Sequence, residues 1–247
     1  MIIGVLTNAE RHAQMAEAIK RFPMLKKHEK FSDKKISIVC YGPSLRETWR
    51  QINNPMITTS GAHDYLMVRG VIPDWHVDCD PRSHKAAMLT PNGGTRYLMA
   101  SVCHPDMWAK LRGKNVKLWH LINGDDFQTP AWIHSNHPEG KDSMIGGGST
   151  VGMRAMEVAA HMGFRRFDIY GMDCSVTDRT HAAEHLGKVQ ETITVQVGGR
   201  PFKTTPQMLQ AAREMEQFIQ TYDAEITFHG EGLMQATARF LKERKAA

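Results

Sequence analysis

Gly146-Gly-Gly-Ser-Thr-Val-Gly152 runs straight into Met153-Arg-Ala-Met-Glu-Val-Ala-Ala-His161, and after Gly163 comes Phe167-Asp-Ile-Tyr170, closing on Gly171-Met-Asp173. The order is glycine-rich turn, helix, strand. Glycines let a backbone approach a ligand closely, and a helix start offers unpaired N–H groups to an anion. Gly148, Ser149, Thr150 and Gly152 are therefore candidate phosphate contacts, with Asp173 delivered nearby by the strand end. The same residues equally suit a tight loop-to-helix connection that holds no ligand.

Working outward, the unit repeats. Ile36-Ser-Ile-Val-Cys40 reads as a short apolar strand, Tyr41-Gly-Pro-Ser-Leu45 as a turn, and Arg46 to Ile52 as a helix. Gly42, Pro43 and Ser44 would face the same ligand, with Ser44 either capping the helix or offering its hydroxyl. Further strands are expected at Met56–Thr59, Trp75–Asp78, Tyr97–Ala100 and Val116–Trp119, with a helix over Ala62–Val68. This alternation predicts an α/β, Rossmann-like, doubly wound and mostly parallel sheet. Residues 1–30 read as an N-terminal helical extension ahead of a Rossmann-like domain over 31–247, and residues 123–145 as a long loop over the site. Near the end, Thr192–Val197, Gly198-Gly199 and Pro201–Thr204 predict a small hairpin, followed by a helix over Pro206–Tyr222 and a strand at Glu225–Phe228.

In an open α/β sheet ligands bind outside the carboxyl ends of the strands, where both glycine turns belong. Ser60, Gly61 and His63 follow the second strand and are placed on the same rim. Asp78 and Asp80 end the third strand; carboxylates near bound phosphates hold Mg²⁺ directly or through water, or else cap a turn. Arg82, His84 and Lys85 are weaker phosphate candidates. His181 and His185, four apart, do not make a zinc motif, because the intervening glutamate is misplaced and no third ligand is evident. They are candidate bases or surface histidines among 13.

With 31 Lys and Arg against 26 Asp and Glu, the net charge of +5 favours acidic small molecules. It is scattered, without the basic block interleaved with aromatics that nucleic acid requires. Four separated cysteines form no CxxC pair and suit buried positions in a reducing compartment. The apolar start lacks a basic region and no run is long enough to span a bilayer, so a cytoplasmic, membrane-independent protein is expected. A homo-oligomer is left open.

Taken together, Gly42-Pro-Ser-Leu45, Pro73-Asp-Trp-His-Val-Asp-Cys-Asp80, Gly148-Ser-Thr-Val-Gly152 through Gly171-Met-Asp173, and His229-Gly-Glu-Gly-Leu233 resemble the MptE-like 6-hydroxymethylpterin diphosphokinase family. That domain is similar in turn to bacterial motility-associated glycosylation factors and, more distantly, to sialyltransferases using a CMP-sugar. The resemblance implies a nucleotide site between the two glycine turns, contacted by Gly42, Ser44, Ser149 and Gly152, with Asp80 serving Mg²⁺. It implies pyrophosphoryl transfer from ATP to a pterin hydroxymethyl group. Where the family has Gly-Asn ahead of Gly42, this chain has Cys40-Tyr41. The alternatives are a glycosyltransferase with a nucleotide-sugar donor, and a nucleotide-binding module without turnover.

Overall fold

Eight short strands pair in parallel: β1 (Ser32–Val39), β2 (Met56–Thr59), β3 (Trp75–Asp78), β4 (Arg96–Ala100), β5 (Asn115–Leu121), β6 (Met144–Ile145), β7 (Phe164–Tyr170) and β10 (Glu225–Phe228). The computed structural model describes residues 6–53, 55–124, 126–177, 181–182 and 191–246. β8 (Ile193–Val197) and β9 (Arg200–Thr204) form the separate antiparallel hairpin expected around Gly198-Gly199.

The sheet order is β10-β7-β1-β2-β3-β4-β5-β6. Chain order runs outward from β1 to β6 and then jumps back to place β7 on the other side of β1. That jump is made by α7 (Val151–His161), whose buried face packs Met153, Met156 and Val158 against the sheet. The topological switch point therefore lies between β1 and β7, where Ile36 pairs with Phe167 and Ile38 with Ile169. All four residues are fully buried. Strands covered on both faces read as near-continuous apolar runs, which is why their sequences could be recognised.

α1 (Asn8–Ile19) begins with a Thr7–Glu10 capping box and buries Met15 and Ala18 in the core that fills the sheet. The chain after it stays attached: the Leu25 N–H donates to the Leu118 carbonyl at 2.6 Å. After β1 come α2 (Leu45–Thr48), extended by a single 3₁₀ turn at Trp49–Gln51, and α3 (Ala62–Met67) follows β2. α4 (His84–Ala87) and α5 (Pro105–Lys110) complete the crossovers up to β5.

Residues 123–145 are not the expected loop. They contain α6 (Gln128–Asn136), a 3₁₀ turn at Pro138–Ser143 and β6. The Asp126 carboxylate accepts from the N–H groups of Gln128 and Thr129, starting the helix, and Arg11 of α1 reaches across to hold Asp126. The strand β10 also does not end the fold. After α8 (Pro206–Tyr222) and β10, α9 (Leu233–Ala246) buries Leu233 and Met234 in its first turn. Among the described residues no helix is long and apolar enough to cross a membrane.

At the carboxyl ends of β4 and β5 lies a buried polar chain. Ser101 Oγ is 2.8 Å from His120 Nδ1, and His120 Nε2 is 2.9 Å from His137 Nδ1. Burial, with His137 adding to it, pulls the His120 pKa down to about 3. An unfolded histidine titrates near 6.5. Between those values the unfolded chain binds the extra proton, so acid destabilises the fold. Urea midpoints are expected to fall from pH 6.5 toward 3, by up to about 1.4 kcal/mol of stability per pH unit from this residue. A His120→Asn variant whose stability declines as steeply as the parent's would remove His120 as the cause.

Candidate functional site

The carboxyl ends of β1 and β7 are drawn unusually close. Cys40 N–H donates to the Tyr170 carbonyl at 2.8 Å, and Gly42 N–H to the Gly171 carbonyl at 2.8 Å. Gly171 has φ +62°, and a Cβ there would sit 2.2 Å from the Cys40 carbonyl oxygen. A Cβ on Gly42 would meet the Gly171 oxygen at 2.4 Å. The glycines let the two turns interlock, and the interlock sets Ser44 over Asp173.

Asp173 Oδ2 accepts the Ser44 N–H at 2.8 Å and Oδ1 accepts the Ser44 hydroxyl at 2.5 Å. Gln235 of α9 adds a longer bond to Oδ1 at 3.4 Å. Ser44 therefore does not cap α2, as its position suggested; its hydroxyl points the other way, to the carboxylate. Burial raises the Asp173 pKa, and the hydrogen bonds from Ser44 and Gln235 oppose that shift without cancelling it. From the far side Gly230 and Gly232 press in, where a Cβ would meet Ser44 Cβ and the Asp173 backbone at 2.5 Å.

Two hollows share Asp173, with Pro43 and Ser175, as a wall, and Ser44 borders the larger of them. The larger, about 330 Å³, is bounded by Arg46, Glu47, Thr177, Gly230 and Glu231 as well as Pro43, Ser44, Asp173 and Ser175. The smaller, about 150 Å³, takes Pro43, Asp173 and Ser175 together with Tyr41, Gly42, Ser60, Thr150, Gly152, Cys174, His181 and Met208. Two of its residues, Ser60 (φ +49°) and Cys174 (φ +51°), hold left-handed backbone without being glycine. Such conformations persist only where the surroundings enforce them, and they concentrate at functional sites.

The fold thus gathers Gly42, Pro43, Ser60, Thr150, Gly152, Asp173 and His181 around one crevice, with Ser44 on the larger hollow beside it. Gly61 adjoins it, with Tyr41 packed where a Cβ would be. The glycine loop before α7 behaves differently. Gly147 and Gly148 are left-handed (φ +75° and +77°) and closely faced by Glu157 and Met153, so the fold itself requires them. Ser149 is engaged within the protein: its N–H donates to Glu214 at 2.6 Å, and Gln207 Nε2 donates to its carbonyl at 2.6 Å. Thr150 caps α7 by accepting from Met153 N–H at 3.4 Å.

His63 is not on the rim. It is fully buried, 2.6 Å from Asp64 Oδ1 and ring-to-edge with His76. Asp78 and Asp80 leave β3, two strands from β1 and so roughly 10 Å along the edge. Asp78 Oδ1 accepts the N–H groups of Cys79 and Asp80, while both Asp80 oxygens are held by Arg82, with Lys85 at 3.7 Å. Burial alone would raise the Asp80 pKa; Arg82 and Lys85 outweigh it and lower it. Among the described residues no three His, Cys, Asp or Glu side chains are grouped to hold a metal ion. His185 lies outside the described residues, and His84 is exposed. All four cysteines are buried and free. Sequence reasoning assigned no role to Tyr41, Cys174, Ser175 and Met208 of the crevice, or to Arg46, Glu47 and Thr177 of the larger hollow.

The family model for 6-hydroxymethylpterin diphosphokinase MptE-like proteins matches residues 8–179. The chain belongs to the MptE-like family. A comparison with curated proteins finds no match. Among solved structures, this MptE-like chain is similar to the MAf glycosyltransferase from Magnetospirillum magneticum AMB-1, with TM-score 0.67 and 15% identity over 96% of this chain and 42% of that one. It therefore spans less than half the length of that protein. The sialyltransferase CstII from Campylobacter jejuni, solved with cytidine-5'-monophosphate, aligns with TM-score 0.46 and 14% identity over 84% of each chain. At 15% identity the likeness to the MAf glycosyltransferase is one of fold.

Proposed function

We propose that this MptE-like chain is a nucleotide-using transferase whose donor phosphates lie in the crevice at the first turn of α7, with the acceptor in the larger hollow. The observation that carries the reading is the shared wall: Asp173, held by Ser44, stands between the two hollows at the switch point of a parallel sheet. Thr150, Val151 and Gly152, at the start of α7, line the crevice, and a helix start with its dipole favours an anion. Asp173, whose proton affinity is raised by burial, is positioned to take the proton of an acceptor hydroxyl.

The family membership supports ATP as donor and a hydroxymethyl compound such as a pterin as acceptor, with pyrophosphoryl transfer as the reaction. Magnesium would supply charge neutralisation to the transferred group. The carboxylates as arranged do not fit a cation held by the protein alone: both Asp80 oxygens are held by Arg82, and among the described residues no group of three His, Cys, Asp or Glu is assembled to hold one. Mg²⁺ is in any case bound mainly through substrate phosphates and water, and in this reading it accompanies the ATP.

A second reading is favoured by His181, which borders the crevice with its ring 5.4 Å from that of Tyr41. A histidine there suits a glycosyltransferase, in which it deprotonates a sugar or protein hydroxyl attacking a nucleotide-sugar. The two readings separate by product. The diphosphokinase reading expects AMP release from ATP that depends on a hydroxymethylpterin, with His181→Ala retaining most of the rate. Sugar transfer from a CMP-sugar, abolished in His181→Ala, would replace it with the second. Nucleotide binding with neither product would leave a binding module, and no nucleotide binding in a thermal-shift panel would defeat all three.

A further inference from the structure

Three donors converge on Asp173. The Ser44 hydroxyl reaches Oδ1 at 2.5 Å, the Ser44 N–H reaches Oδ2 at 2.8 Å, and Gln235 adds its longer bond to Oδ1. A carboxylate offers about four lone-pair sites, so most of them are already filled. The aspartate is also only 4% exposed, whereas Ser44 is half-buried and borders the larger hollow. The serine thus stands on the hollow side of the carboxylate.

Its oxygen is open on that side. A serine hydroxyl carries one proton and two acceptor lone pairs. The proton is committed to Asp173, and among the described residues no group donates to the oxygen. Gly230 borders the same hollow, and a Cβ there would stand 2.5 Å from Ser44 Oγ; glycine leaves that oxygen uncovered. A hydrogen bond this short to an ionised carboxylate is charge-assisted, and it polarises the serine oxygen into a better acceptor for the next hydroxyl in line.

We propose that Ser44 is a catalytic proton relay between the acceptor hydroxyl and Asp173. The inference rests on the transferase reading and deepens it. The acceptor, seated in the larger hollow, donates its O–H to Ser44 Oγ. As the acceptor oxygen bonds to the transferred group, the bond from that group to the nucleotide breaks and the nucleotide leaves with the bonding pair. The acceptor's proton passes to Oγ while the serine's own proton passes to Asp173 Oδ1. Ser44 ends the step with one O–H bond, as it began, and Asp173 ends protonated. A base that lies buried behind a hydroxyl is thereby explained, since it need not touch the substrate.

The test is a single-turnover assay of the full chain, with enzyme in excess over ATP, 6-hydroxymethylpterin as acceptor and AMP as the product followed. A CMP-sugar donor with a free sugar as acceptor is the second arm. Ser44→Ala keeps the N–H on Oδ2 and removes the relay oxygen. Its chemical rate is expected to fall roughly 10²-fold, the low end for loss of a general base, with ATP affinity by titration calorimetry within a few-fold. In mixtures of light and heavy water the parent's rate should fall along a curve, because two protons move together. Adding Ser44→Ala to Asp173→Asn should cost little more than Asp173→Asn alone, because both act on one proton path. A parent rate that is linear in deuterium content, or insensitive to it, overturns the relay; with a slow Ser44→Ala it leaves Ser44 a clamp that orients Asp173. Multiplying losses in the double variant overturn it too. ATP affinity lost with the chemical rate intact makes Ser44 a nucleotide contact instead. If Ser44→Ala does not fold, the parent's heavy-water curve decides. Product formed equally fast by parent and Ser44→Ala sinks the relay and spares the transferase reading. A parent that forms product in neither arm overturns that reading and the relay with it.

Discussion

Replacing Asp173 with asparagine is expected to lower transfer by roughly 10²- to 10⁴-fold, the range for loss of a general base, while leaving nucleotide affinity within a few-fold. Asparagine is nearly the same shape. Its oxygen accepts the Ser44 N–H and its amide donates to the Ser44 oxygen, so that besides the charge and the basicity only the long bond from Gln235 is lost. Two further signs follow from the burial that raises the carboxyl pKa. The acid limb of the rate profile should lie above the usual aspartate value of about 3.9 and vanish in the variant. Stability should move oppositely. A carboxyl that binds its proton more tightly folded than unfolded favours the fold increasingly as pH falls through its raised pKa. Asp173→Asn should therefore be no less stable than the parent at neutral pH. A variant within tenfold of the parent rate would reduce Asp173 to a clamp on Ser44.

The second large effect concerns the backbone beneath that pair. Gly171→Ala is expected to cost about 2 to 5 kcal/mol: roughly 1–2 for a side chain in the left-handed region and 1–3 for crowding in filled space. The crowding is specific, because the new Cβ would face the Cys40 oxygen at 2.2 Å and Leu45 Cβ at 3.2 Å. Gly113→Ala is the control. It has a similar φ of +74° with nothing within 4 Å, and should show the conformational part alone. Urea midpoints measure both; equal losses would mean that the close approach of β1 and β7 relaxes without penalty.

The contrast between these two glycines explains what could be read from sequence. Local rules worked wherever the cause was local. Met56–Thr59 and Trp75–Asp78 are strands because they are buried runs, Thr205-Pro206 starts α8 by a cap and a fitted first turn, and Gly198-Gly199 turns the hairpin with φ +55° and +76°. α6 escaped because its apolar stripe is thin, little more than Thr129 and Ile133, and its start depends on Asp126 held by Arg11 from α1. The glycine turns were visible, but their partners were not. Nothing within a few residues of Ser149 announces Glu214, 65 positions on, and nothing near Ser44 announces Asp173, 129 positions on. The motif His229-Gly-Glu-Gly-Leu233 was the one local sign of the distant wall, since Gly230 and Glu231 border the larger hollow.

That wall has a consequence for how the protein is made. Translation delivers β1 and β7 well before residue 229, so a nascent chain can zip the central strands and interlock the turns at Gly42 and Gly171. It still has no Gly230 or Gly232 to lie against Ser44 and Asp173, and no Gln235 to bond the carboxylate. The segment matching the family model, ending at residue 179, is in the same position. A chain translated only that far would thus have its two turns interlocked while Ser44 and Asp173 still lacked the wall that Gly230, Gly232 and Gln235 build against them.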